Sequence, residues 1–88
     1  MKRRYLEVTF HDGKPLAAYL HLPHATGAKV ARTTEAEHGL CVDFDADGAP
    51  IGVEITAPAH VTVDEINAIL VPLGIPEVAP EEWAPLAA

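Results

Sequence analysis

Carboxylate side chains recur at alternate positions in the segment DFDADGAPIGVE, which spans residues 43–54. The order Asp-x-Asp-x-Asp-Gly, closed by a glutamate at the twelfth position, is that of the calcium-binding loop of an EF-hand. Oxygen ligands in such a loop surround one cation, and a glycine at the sixth position allows its sharp turn. The pattern raises the hypothesis of a divalent-metal site with four candidate ligands: Asp43, Asp45, Asp47 and Glu54.

The residues around this acidic segment favour a β-hairpin over an EF-hand. Apolar and polar residues alternate with period two on both sides of the turn, whereas an EF-hand requires helices there. Ile51 occupies the ninth position, where it cannot hold a water ligand, and Pro50 has no N–H to donate. Asp47 and Gly48 would supply the positive φ of a turn. We therefore predict that three carboxylates alternate with core residues and face solvent: Asp43, Asp45 and Glu54.

The other reactive residues do not form a recognised catalytic or zinc-binding pattern. His21 and His24 would point to opposite faces of a strand, and no cysteine or acid nearby completes a tetrahedral zinc site. Cys41 lies beside acids, which raise the pKa of a thiol, so an enzyme using Cys41 is the least favoured hypothesis. We predict no catalytic residue and no cofactor. The remaining histidines lie in predicted turns and should be solvated, with pH sensing as the alternative: His11, His38 and His60.

Alternation predicts that residues 4–10 and 16–22 form an antiparallel pair of strands. A two-residue loop at Asp12-Gly13 would turn the two apolar faces in opposite directions. A five-residue loop over residues 11–15 keeps both faces on one side, and we prefer it because the buried face fixes the register. The longer loop predicts two facing pairs, Phe10 with Leu16 and Leu6 with Leu20.

Three further strands are indicated in the middle of the chain. Residues 29–36 are rich in β-branched side chains, and Lys29 and Arg32 there discourage further pairing, as at a sheet edge. The strongest signal is a hairpin that joins residues 39–45 to residues 50–56. Gly52 inside the second of these strands indicates a bulge or a close neighbour on the outer side. The predicted facing pairs are Leu40 with Ile55, Val42 with Val53, and Phe44 with Ile51.

A helix is predicted after the strands. Thr62 and Glu65 form the Thr-x-x-Glu pattern of a capping box, and Gly74 suits the position just beyond the helix end. Residues 80–83 could add one helical turn, in which Trp83 anchors the tail on the body or on a partner. Helical spacing gives one apolar stripe: Val63, Ile66, Ile69, Leu70 and Leu73.

Together these elements predict a single α+β domain over residues 1–88. An antiparallel four- to five-stranded β-meander covers residues 4–56, and one C-terminal helix over residues 62–74 packs on a face. A short Pro-rich tail follows over residues 75–88. The helix would bury its apolar stripe against the apolar face of the sheet.

Charge is divided unevenly along the chain. All six basic residues lie in residues 1–32, whereas residues 33–88 contain eleven acids and no Lys or Arg. We expect either a solvated acidic surface or docking of the basic N-terminal strand on an acidic surface, in the same chain or in a second copy. Nucleic-acid binding is disfavoured because phosphate recognition needs a basic face.

The sequence also bears on the compartment. Cys41 is the only cysteine, which fits a reducing environment. The basic N-terminus is not followed by the apolar run of a signal peptide, and no apolar stretch is long enough to span a membrane. We therefore predict a cytoplasmic protein without a membrane partner.

A V-x-R-T-x-E stretch is followed here by a pattern close to G-V-x-V-D-Y-D-x-D-G-x-x-V-G-I-E-I. Residues 18–22 are also similar to a D-x-L-Y-I-x-L strand, without its leading aspartate. In these features the chain resembles the short prokaryotic proteins of the domain-of-unknown-function 2283 family. The resemblance implies a small antiparallel sheet with a helix, and it implies no catalytic or cofactor residue. The matching residues are Val30, Arg32, Thr33, Glu35, Gly39, Val42, Asp43, Asp45, Asp47, Gly48, Gly52, Glu54 and Ile55.

These observations lead to an ordered set of functional hypotheses. The first is a non-enzymatic cytoplasmic protein that acts through protein–protein contacts as a homodimer, with interaction residues Trp83, Arg32 and Glu54. The alternative is a small ligand- or divalent-metal-binding protein that uses the acidic hairpin. The third is an antitoxin-like neutralising partner of another protein.

Overall fold

The computed structural model describes residues 4–87, apart from the side chains of His38 and Ala87. The prediction that the His38 side chain is solvated therefore lies outside the described residues. This part of the chain forms a five-stranded antiparallel sheet with two short α-helices, which confirms the α+β class. The strands are β1 (Tyr5–His11), β2 (Lys14–His21), β3 (Arg32–Glu35), β4 (Leu40–Phe44) and β5 (Pro50–Ile55). The helices are α1 (Val63–Leu70) and α2 (Pro80–Ala87), and short 3-10 turns cover Glu37–Gly39, Pro58–His60 and Val71–Leu73.

The strands follow the order β1-β2-β5-β4-β3, so the sheet departs from a simple meander where β2 pairs with β5. Burial explains this order. Ala18 and Leu20 of β2 are buried, as suits an interior strand, whereas all four residues of β3 are exposed. The strand that contains Arg32 therefore lies at an edge, as its sequence predicted, although it is shorter than residues 29–36.

The β1–β2 hairpin corrects the predicted register near its turn. Asp12 and Gly13 form a two-residue turn with φ of 51° and 76°, not the predicted five-residue loop. A register shift then leaves Leu16 as an extra residue in β2, so Phe10 faces Pro15 rather than Leu16. The bulge restores the apolar faces to one side, and the predicted facing of Leu6 and Leu20 is confirmed.

The hairpin predicted between β4 and β5 is confirmed, so the EF-hand interpretation of the acidic segment is wrong. Strands flank the turn, and the Asp45 N–H donates to the Ala49 carbonyl across it at 2.9 Å. The predicted pairs Leu40–Ile55 and Val42–Val53 are present. The third predicted pair is wrong: a register shift leaves Ile51 unpaired and sets Phe44 opposite Pro50.

Helix α1 has the predicted caps. The Thr62 hydroxyl accepts the Glu65 N–H at 3.2 Å, and the Glu65 carboxylate accepts the Thr62 N–H at 2.8 Å. At the other end Gly74 has φ of 76°, and the Ile75 N–H donates to the Leu70 carbonyl at 3.1 Å. The α-helix itself ends at Leu70, and the predicted remainder is a 3-10 turn.

The core lies between the helices and one face of the sheet. Helix α2 is two turns long, where the sequence indicated one, and it begins at a proline that suits the first helical position. The core includes Leu20, Val42, Val53 and Ile55 from the sheet, Ile66 and Leu70 from α1, and Trp83 and Leu86 from α2.

Within residues 4–87 no helix has the length and apolar character needed to span a bilayer.

The basic N-terminal part docks on the acidic C-terminal part at Arg4. Its guanidinium forms an ion pair with the Glu82 carboxylate at 3.1 Å and donates hydrogen bonds to the carbonyl oxygens of Pro76 and Glu77. These contacts join the start of β1 to the segment before α2. One of the two dockings that the charge division suggested, the one within the chain, is thus present at this residue.

Candidate functional site

We call the sheet face turned away from the helices the outer face. Side chains alternate across a strand, and the strand registers bring several polar and titratable side chains together on this side. One row across the strands carries Tyr5, His21, Gly52, Asp43 and Thr33. The next row carries Glu7, Tyr19, Glu54, Cys41 and Glu35.

Asp43 lies at the centre of a hydrogen-bonded group on the outer face. The Tyr19 hydroxyl donates to one carboxylate oxygen at 2.6 Å, and the Thr33 hydroxyl donates to the other at 2.6 Å. Asp43 is only 7% exposed, so the prediction that it faces solvent is wrong. It does lie on the predicted side of the sheet, but the tyrosine covers it.

Gly52 makes this arrangement possible. Tyr19 lies on β2 and Asp43 on β4, so the tyrosine side chain must cross β5 to reach the carboxylate. A Cβ atom at residue 52 would overlap the Tyr19 ring and hydroxyl. The close neighbour that Gly52 predicted on the outer side is therefore confirmed, and it is Tyr19.

Two side chains of the outer face, Tyr19 and Cys41, are held in their protonated forms. Burial and the hydrogen bond to Asp43 raise the pKa of Tyr19 far above its ordinary value. Burial raises the pKa of Cys41 as well, and the charges of Glu54 and Glu35 add to that effect. A nucleophile or base needs a lowered or near-neutral pKa, so neither group is prepared to act as a nucleophile or base at neutral pH.

His21 is held among aromatic and acidic neighbours. Its ring stacks on Tyr5 with centroids 4.3 Å apart and lies 4.7 Å from the Tyr19 ring. One ring nitrogen is hydrogen-bonded to the Glu7 carboxylate at 2.9 Å. His24, the other member of the suspected zinc pair, contacts the Ala25 carbonyl at 2.9 Å instead.

The four acids of the EF-hand hypothesis do not converge. Asp43 is occupied by Tyr19 and Thr33, and one oxygen of Asp45 accepts the N–H groups of Asp47 and Ala49, each at 2.9 Å. Glu54 lies opposite Cys41, away from the turn. Among the described residues no three His, Cys, Asp or Glu side chains are placed to hold one metal ion.

The predicted interaction residues lie in three different environments. Trp83 is 4% exposed and belongs to the core, so it anchors the tail on the body of its own chain. The Arg32 guanidinium lies over the Phe44 ring, 4.4 Å from its centroid, at the exposed edge strand. Glu54 is exposed on the outer face. The structure does not bring these three residues together.

An exposed apolar region at the end of the β1–β2 hairpin was missed in the sequence. Phe10 and Leu16 are 54% and 59% exposed, although the expected register placed them in a facing apolar pair. Beside them is a groove of about 370 Å³ between the hairpin and the helices. The Asp12-Gly13 turn was the available signal, because it requires a bulge that displaces both residues. The groove is lined mainly by Pro15, Pro58, Val61, Val63, Trp83 and Leu86.

Comparisons with protein-family models, with curated proteins and with solved structures found no match to this chain. The resemblance to the family of unknown function therefore stays a prediction. Any functional conclusion must come from the chain's own residues and from the surfaces that they form.

Proposed function

We propose that this protein is non-enzymatic and acts through protein–protein contacts, as a homodimer. The observation that carries the proposal is the exposed apolar region at the end of the β1–β2 hairpin, where Phe10 and Leu16 are each more than half exposed. Apolar side chains exposed together on a small domain mark a site of protein association, because covering them removes apolar area from water, whereas single exposed apolar residues are ordinary. Tyr5, Val30 and Val71 are exposed elsewhere on the described part of the chain and do not carry the proposal.

The state of the reactive groups supports a non-enzymatic role. The Tyr19 hydroxyl donates a hydrogen bond to the Asp43 carboxylate, and the pKa of Cys41 is raised. Tyr19, Thr33 and Asp43 thus satisfy one another's hydrogen bonds, which stabilises the sheet. Cytoplasmic residence is part of the proposal, and Cys41, the one thiol of the sequence, supports it.

Sedimentation equilibrium or light scattering over a range of protein concentrations tests the homodimer. We expect a mass of twice 9.4 kDa at high micromolar concentration, falling toward the monomer mass on dilution. A constant monomer mass up to that concentration would contradict the proposal. A mass above that of the dimer, constant on dilution, would indicate a different assembly.

A further inference from the structure

We propose that two copies of the chain associate through β3, so that their edge strands pair antiparallel and the two sheets become one. The two-fold axis passes between the Thr34 residues of the two copies. This inference rests on the proposed homodimer and names its interface. Because β1 lies at the opposite edge of the sheet, the apolar end of the β1–β2 hairpin stays exposed in this dimer, where it can contact other proteins.

One side of the β3 backbone faces no other strand within residues 4–87. There β3 pairs with β4 alone, and all four of its residues are exposed. The Ala36 N–H donates to the Leu40 carbonyl of β4. Because backbone groups alternate in direction along an extended chain, those of Thr33 and Glu35 point away from β4. An edge of this kind can accept another strand.

The other edge strand, β1, is less suited to pairing. Its register with β2 shifts between Thr9 and Phe10, and such irregularities twist an edge away from a second strand. Arg4 also joins the start of β1 to the tail. The register of β3 with β4 is regular over all four residues, so β3 is the edge that a second copy can extend.

Two registers would centre the strand pair on the middle of β3, with the two-fold axis at either Thr33 or Thr34. An axis at Thr33 makes the two Arg32 side chains diagonal neighbours. An axis at Thr34 does so for the two Glu35 side chains instead. The axis at Thr34 also sets Arg32 of each copy opposite Ala36 of the other. Facing residues project on the same side of a sheet, so each Arg32 would lie beside the other copy's Ala36 side chain.

A groove at Ala36 matches the charge of Arg32. Ala36 packs against the core, as does Phe44 beneath the Arg32 guanidinium, so the groove lies on the side of the sheet to which Arg32 projects. Residues 33–88 contain no Lys or Arg, and two glutamates line the groove, so the guanidinium of a second copy complements it. The groove has a volume of about 360 Å³ and is lined by Ala36, Glu37, Glu65, Ala68 and Ile69.

The Arg32 side chain must turn to make this contact. In the single chain its guanidinium lies 4.4 Å from the centroid of the Phe44 ring, toward β4 and away from the free edge. Arg32 is exposed, so it can exchange the ring for the carboxylates of a second copy without movement of the core. Because the strand pair is short, we expect a weak dimer whose mass depends on concentration.

Reversal of charges tests the contact between Arg32 and the groove. Arg32→Glu should raise the dimer dissociation constant at least about 10-fold, because like charges then meet on both sides of the axis. Glu37→Arg in the Arg32→Glu chain should restore most of the lost affinity. Lys14→Glu is the matched control, since it makes the same change of charge at an exposed position of the β1–β2 hairpin. It should change the constant, measured by sedimentation equilibrium, less than about 3-fold.

Removal of one backbone donor tests the strand pairing itself. Glu35→Pro deletes an N–H that points away from β4, so it should leave the sheet folded but raise the dissociation constant at least about 10-fold. Glu35→Gln is the control, because it keeps the N–H. It should dimerise at least as tightly as wild type, since it removes the repulsion between the two neighbouring carboxylates. Circular dichroism shows whether each variant is folded.

The outcomes separate this inference from the proposed homodimer. A wild-type dimer that is insensitive to Arg32→Glu and Glu35→Pro would overturn the β3 interface and leave the homodimer intact. If Glu37→Arg failed to restore the Arg32→Glu dimer, the register centred on Thr34 would be wrong. A wild-type chain that stays monomeric would overturn both the interface and the homodimer, as would a monomer that binds a different protein through β3.

Discussion

Gly52 is the residue that allows the outer face to close over Asp43. Tyr19 crosses β5 at this glycine, and its hydroxyl and that of Thr33 satisfy both carboxylate oxygens. A buried carboxylate without such donors would be costly, because burial removes it from water. The absence of a side chain at residue 52 thus allows the hydrogen bonds that join β2, β4 and β3.

Gly52→Ala should therefore destabilise the fold through a clash with Tyr19. We expect a loss of about 1–3 kcal/mol, because the tyrosine must leave its place and Asp43 loses a donor. Denaturant unfolding measures it. In a Tyr19→Ala background the same substitution should cost less than about 1 kcal/mol, since the ring that clashes is gone. Equal costs in both backgrounds would show that Tyr19 does not lie over residue 52.

At the scale of elements, the contact between β1 and the segment leading into α2 depends on Arg4. Its guanidinium is 16% exposed, and it meets Glu82 and two backbone carbonyls of that segment. The hydrogen bond from Arg4 is the main cause of the lowered pKa of Glu82, and the Ala79 N–H contributes as well. A lowered pKa means that the ionised Glu82 carboxylate is more stable in the folded state than in the unfolded state.

The stability that Glu82 contributes should consequently depend on pH. It is present above the ordinary pKa of a glutamate, 4.5, and is lost as pH falls through the lower pKa of the folded state. Because Glu82 is 44% exposed, solvent screens the pair and the effect should stay within about 1 kcal/mol. Glu82→Gln should thus be less stable than wild type near neutral pH and nearly equal to it at about pH 3.

Urea unfolding at several pH values measures this difference. Glu81→Gln serves as the control, because Glu81 is exposed on the same helix and forms no ion pair within residues 4–87. Its difference from wild type should change little with pH. A Glu82→Gln difference that persists unchanged in acid would mean that the ion pair with Arg4 is not its cause.

At the scale of the whole molecule, the tail that follows α1 completes the core. Val78, Trp83 and Leu86 are each at most 4% exposed. The side chain of Asn67 on α1 accepts the Val78 N–H at 2.7 Å and donates to the Val78 carbonyl at 3.1 Å. The tail is therefore held both by apolar packing and by hydrogen bonds.

Trp83→Ala should remove much of the stability of the domain. Truncation of a buried tryptophan typically costs about 3–5 kcal/mol, against a total of about 5–10 kcal/mol for a domain of this size. Thermal unfolding followed by circular dichroism would report the loss. Trp83→Phe keeps most of the apolar volume and should cost clearly less. A fully stable Trp83→Ala variant would show that this side chain serves a partner instead of the core.

Much of the local structure could be predicted from the sequence. The capping box at Thr62, the glycine cap at Gly74 and the hairpin over the acidic segment all depend on residues close together in the chain. For the outer face, alternation placed Asp43 on the correct side, and Gly52 predicted a close neighbour there. What alternation could not supply was the identity of that neighbour, because Tyr19 is distant in sequence and its direction depends on the strand order.

The sequence by itself determined the class of the fold, its strands, its helix caps and the acidic hairpin, because turn chemistry and side-chain periodicity act over a few residues. Only the tertiary structure decided that β2 lies beside β5, that Tyr19 covers Asp43, and that Pro15 and the helices form a groove beside the hairpin. Those features arise from contacts between distant segments, where burial of apolar area selects one arrangement among several that the local signals allow equally.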